Sequence, residues 1–189
     1  MASPTPVSFH LDLYAYWLAK RGSRRMPARD DLNPAEIIPL LPHLIISERD
    51  GDQFRLRLFG TGAVHDLGFD ATGYFAGEYL NNPSYYAEWR AIDETVCAHQ
   101  DPLFVTGEFC FESLCSGSHH AWSAVILPLS DDGSTVNKII ASFVGRLNPP
   151  IAISREWLES QPAKVLRITE IKVPDALKQL CFEWERALC

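Results

Sequence analysis

The chain has 189 residues, of which 47% are hydrophobic and 22% charged, with a formal net charge of −7. That composition excludes a wholly disordered chain, and the acidic balance argues against broad nucleic-acid binding, which needs many phosphate neutralisations. No apolar stretch approaches the roughly 18–20 residues of a membrane helix, and Met1 to His10 has no basic head or apolar signal core, so a cytoplasmic protein is expected.

Leu11, Tyr14, Ala15 and Leu18 recur at helical spacing, so Phe9 to Arg21 reads as a helix stopped by Gly22. Met26 to Leu32 reads as extended. Asn33 or Asp31 then caps a short helix with Pro34 at its first position, ended early by Pro39 and Pro42. His43 to Glu48 and Phe54 to Phe59 flank Asp50-Gly51-Asp52 and read as a hairpin. Phe54, Leu56 and Leu58 fall on one face of its second strand. Glycines from Gly60 to Gly77 leave room only for helical scraps, Ala63 to Leu67 and Ala76 to Leu80.

Pro83 to His99 is a longer helix, with Tyr85, Trp89, Ile92 and Val96 along its apolar stripe. Three alternating strands follow, Leu103 to Ser113, His120 to Leu129 and Lys138 to Leu147. In the first, Leu103, Val105, Phe109 and Phe111 oppose Glu108 and Glu112; in the last, Ile139, Ala141, Phe143 and Leu147 share a face. Beyond Asn148-Pro149-Pro150, Ser154 caps a short helix around Trp157. Lys164 to Val173 reads as one more strand, and Pro174 to Leu188 as an amphipathic helix.

Three parts follow: a helical lead over residues 1–25, a core over 26–148 and an extension over 149–189 that ends in the amphipathic helix. The fold class is α+β. Five antiparallel strands, two then three, with helices on one face, an N-terminal helix and a C-terminal helical tail, form the PAS arrangement. The residues also carry a likeness. Tyr16-Trp17-Leu18, Met26-Pro27-Ala28-Arg29 and Leu32-Asn33-Pro34-Ala35-Glu36-Ile37 through Leu40-Leu41-Pro42 open the series. Phe54-Arg55-Leu56-Arg57-Leu58-Phe59-Gly60-Thr61-Gly62 and the run from Gly68 to Gly73 close it. Together they resemble a proteobacterial PAS-like family over roughly Leu13 to Leu147. The resemblance implies a PAS fold that acts as a sensory or regulatory domain, often the sole recognisable domain of its protein. It implies no catalytic residue and no settled ligand, so no cofactor is assigned.

Enzyme signatures are missing from the sequence: there is no GxSxG, HExxH or Walker loop, and Gly60-Thr61-Gly62 lacks the third glycine of a dinucleotide loop. Five cysteines, an odd number without a CxxC pair, read as reduced thiols. His119 and His120 point to opposite faces of a strand, which is poor for shared chelation. His65, in the glycine-rich segment, is the best-placed axial ligand were a haem bound; no metal site is expected.

Charge is unevenly spread. Thirteen acidic and only three basic residues lie between Asp50 and Val136, whereas Lys20, Arg21, Arg24, Arg25 and Arg29 fall within ten positions. Arg21, Arg25 and Arg29 are spaced by four and match the RxxxR half of a cyclic-dinucleotide motif whose other half is missing. They are candidates for an anion site; the plain alternative is a solvated helix end.

Aromatic side chains make the better ligand argument. Phe59, Trp89, Phe109, Phe111, Trp122 and Phe143 lie on elements that would flank a PAS cavity, and His65 completes the candidate set. A filled core is the plain alternative. The expected function is a non-catalytic sensory or regulatory domain in bacterial signalling, working through a small organic ligand or a regulatory protein partner. The apolar stripes of the first and last helices suggest a homodimer, or docking on the chain's own sheet. Alternatives are a cone-shaped NTF2-like small-molecule enzyme and a cyclic-dinucleotide binder acting through residues 20–29. A cavity holding a carboxylate or histidine of shifted pKa would favour the enzyme, and a dry filled core an interaction module.

Overall fold

The computed structural model describes residues 6–80, 82–111, 120–147 and 163–172. Long period-two runs make its strands: β1 (Leu44–Asp50), β2 (Gln53–Phe59), β3 (Leu103–Phe111), β4 (His120–Leu129), β5 (Lys138–Leu147) and β6 (Ala163–Lys172). They form one sheet in the order β2-β1-β5-β4-β3-β6. Every pairing is antiparallel. The first five strands are the expected five-stranded sheet, and β6 extends it from the edge at β3. The readings over 148–162 and 173–189, including the helices around Trp157 and over Pro174 to Leu188, lie outside the described residues.

Helices cover both faces. α1 (Pro6–Arg21) crosses β4 and β5 on what is here called the outer face. α2 (Thr61–Leu67) and α3 (Pro83–His99) pack on the inner face. The face of α1 buried on the chain's own sheet is that of Leu13 and Trp17, and Trp17 Nε1 donates to the Pro128 carbonyl at 2.9 Å; of the expected stripe, Leu11, Tyr14 and Leu18 are half-buried and Ala15 is exposed. His10 lies beneath the helix, its ring nitrogens 2.5 Å from the Ser142 hydroxyl and 2.8 Å from that of Ser123. Asn82 caps α3, its side chain accepting from the Tyr85 amide at 2.8 Å. At the other end of α3, the Arg25 guanidinium donates to the His99 carbonyl at 2.7 Å.

Several local expectations are corrected. The segment read as extended holds a 3₁₀ turn at Arg29–Asp31, and the short helix is two 3₁₀ turns, Pro34–Glu36 and Ile38–His43. Pro39 and Pro42 sit within the last of these and do not end it. Ala76 to Leu80 forms turns, not a helix. The simple alternation of β2 also fails. Ile46 pairs with Leu58, yet the next residue, Ser47, pairs with Leu56. Arg57 is therefore the extra residue of a β-bulge, and a bulge reverses which face the following residues occupy. Leu58 turns to the outer face, 43% exposed, and Phe59 turns inward.

Candidate functional site

The inner face of the sheet meets α3 in a train of rings. Phe59 and Phe143 are 6.1 Å apart, and Phe143 stacks on Trp122 at 6.0 Å. Trp122 stacks on Trp89 at 5.2 Å, and Tyr85 and Tyr79 continue the train from Trp89. Two glycines make the stacking possible. A Cβ on Gly107, opposite Trp122 across the β3–β4 ladder, would fall within the Trp122 indole. A Cβ on Gly77 would lie 2.6 Å from Trp89, and Gly77 has a φ of +78° besides. Each indole thus lies flat against a residue without a side chain.

Beside the rings is a cavity of about 40 Å³. Phe59, Tyr79, Trp89 and Phe143 line it together with aliphatic residues of β1, β4 and β5. Its volume has room for on the order of three waters. Two polar side chains join them, Ser47 of β1 and Asp93 of α3. Asp93 is buried, and among the described residues no group donates a hydrogen bond to it. Burial pushes its carboxyl up to about 8; Arg90 opposes the shift and Glu94 adds to it. The Arg90 guanidinium faces outward to Asp52 at 2.7 Å. Burial also raises the Tyr85 phenol to about 12 and Tyr79 well above its ordinary value, so both remain hydroxyls. Trp122 Nε1 is buried without an acceptor among the described residues.

The expected ligand residues divide clearly. Phe59, Trp89 and Phe143 line the cavity, and Trp122 stands behind them in the stack. The side chains of Phe109 and Phe111 lie outside the described residues. His65 does not reach the cavity: α2 buries Ala63 and Leu67, and the imidazole between them is 85% exposed beside Asp66. No cluster able to hold a metal occurs among the described residues.

Arg21, Arg25 and Arg29 do not converge. Arg21 lies over the Trp17 ring, Arg25 reaches the His99 carbonyl and Arg29 donates to the Leu32 carbonyl at 3.5 Å. Their neighbours are likewise engaged, Lys20 with Glu36 at 2.7 Å and Arg24 with Asp31 at 2.8 Å. Sequence reasoning missed Asp93, Ser47 and Tyr79. A signal for Asp93 was present: it follows Trp89 by four residues, so an acid falls on the stripe read as apolar.

No curated protein matches the chain. Residues 6–141, from the docked N-terminal helix into the first residues of β5, match the PAS domain family, and the chain belongs to that family.

Proposed function

We propose that this domain senses a small organic ligand bound between α3 and the inner face of its sheet. PAS domains are in general sensory and regulatory modules. The observation that carries the finer reading is the ring-lined cavity that Phe59, Tyr79, Trp89 and Phe143 share with two polar side chains. Apolar walls with a few polar groups suit small-molecule recognition.

The buried carboxyl of Asp93 is the kind of group that would favour an enzyme. Among the described residues it has neither a histidine nor a metal cluster beside it. Within this proposal Asp93 serves in ligand binding. A regulatory protein partner is part of the same reading. The exposed Leu41 and Leu58 border an apolar groove on the outer face, where such a partner would dock. A homodimer through α1 would use the half-exposed Leu11, Tyr14 and Leu18, since the Leu13 and Trp17 face is buried in the chain itself. No described helix is long and apolar enough to cross a membrane; action in the cytoplasm belongs to the proposal.

Native mass spectrometry of the protein purified from its source tests the ligand reading. The expected result is added mass that leaves on denaturation. Bare protein, coupled with no thermal stabilisation by any member of a metabolite panel, would overturn it.

A further inference from the structure

Asp93 breaks the pattern of its surroundings. It lies one turn after Trp89 on the buried stripe of α3, between Ile92 and Val96. Buried polar groups in native proteins are nearly always hydrogen-bonded, and each exception calls for a reason. This one lines a cavity, and no described residue donates to it. The cation nearest along its own helix, Arg90, is paired with Asp52 at the surface. The rings of Phe59, Tyr79 and Phe143 line the same cavity, as does Trp89 of the same helix. Aromatic faces attract cations, and the attraction is strongest where water is excluded.

We infer that the inner-face cavity is a receptor site for a compact organic ammonium ion, held by the Asp93 carboxylate against the rings of Phe59, Tyr79, Trp89 and Phe143. The inference rests on the ligand-sensing reading and names the ligand class for that same site. Space limits the ion to a few non-hydrogen atoms, since the cavity measures about 40 Å³. An ion of about five such atoms binds no tighter than the micromolar range.

The empty site keeps a proton on Asp93 near neutral pH, because burial disfavours the charge. A quaternary ammonium has no proton to give up. Its entry therefore expels one proton from Asp93 to solvent, and binding strengthens as pH rises toward about 8. The charged and titratable groups around Asp93 are few. Arg90, Glu94 and Cys97 share its helix, Tyr79 lines the same cavity, and Arg49 of β1 acts on Cys97.

Calorimetric titration of the full chain with tetramethylammonium chloride tests this, with tert-butanol as a neutral probe of similar size. The expected result is binding of the cation at least about ten-fold tighter than of the alcohol. Heats measured in buffers of different ionisation enthalpy should show close to one proton released at neutral pH. Asp93→Asn should erase both the preference and the proton release. Equal binding of the two probes, or unchanged cation binding in Asp93→Asn, would overturn the ammonium assignment and leave a site for neutral ligands. Absence of cation binding to the unmodified chain would overturn it as well. Proton release is read on that unmodified chain, so the test stands even if the variant does not fold. A retained mass in native mass spectrometry then shows whether the broader sensor reading survives.

Discussion

Both faces of the sheet bury a titratable side chain, and they treat it in opposite ways. On the outer face His10 sits between the hydroxyls of Ser142 and Ser123, each within 2.8 Å. Burial, helped by His43, holds its imidazole down to about 3, so it is neutral and fully occupied. On the inner face burial acts equally on Asp93, but the group beside it is a cavity, not a hydroxyl. The difference teaches that burial alone does not mark a site. A buried polar group with its partners in place is a fastening; one that faces open space is available to a ligand.

The largest effect should come from unfastening the outer face. Trp17→Ala removes a buried indole and its bond to Pro128, and should cost about 3–5 kcal/mol by denaturant midpoint. A loss below about 1 kcal/mol would mean that α1 is an appendage and not part of the core.

Titration sharpens the comparison next. His10 resists protonation when folded, so stability falls as pH drops from 6.5 toward about 3. Asp93 keeps its proton when folded, so stability falls as pH rises from 3.8 toward about 8. The two slopes oppose each other between 3.8 and 6.5, and only that of Asp93 acts from 6.5 to 8. The unmodified protein should therefore lose roughly 2 kcal/mol between the last two pH values, at about 1.4 kcal/mol per unit. Asp93→Asn should lose nothing there and should gain stability steadily from pH 4 to 6.5. Urea midpoints across pH measure both curves, and a flat profile in both proteins would break the contrast.

The smallest effect concerns the start of α3. Asn82→Ala removes the side-chain cap on the Tyr85 amide and should cost about 1 kcal/mol. Because α3 carries Trp89 and Asp93, the same change should loosen the inner face first. Hydrogen exchange should then quicken along α3 and stay unchanged along α1.

Much of this architecture was legible in the residues, for a physical reason. α3, β4 and β5 have the bounds that their periodicity predicts, because a long run repeats its signal many times. Failures cluster where one residue changes the count. Arg57 adds a position to β2 and so reverses Leu58 and Phe59, which no alternation rule can foresee. Short 3₁₀ segments accept the prolines that would end a longer α-helix. The aromatic walls were visible as residue types, and Phe59, Trp89 and Phe143 do meet. Asp93 stayed hidden because a carboxyl at one place on an apolar stripe reads as surface until the facing sheet is known.

The contact between Arg25 and the His99 carbonyl joins two helices that lie on opposite sides of the sheet. Arg25 follows the last turn of α1, and His99 ends α3. A guanidinium on a terminal carbonyl is favoured by the helix dipole, and here it ties the segment after α1 to the end of α3. On the proposed ligand reading, a movement of the end of α3 would act directly on this bond, and Arg25→Ala removes the bond without touching the cavity lining. The two helical layers are thus fastened to each other by a side chain as well as through the sheet.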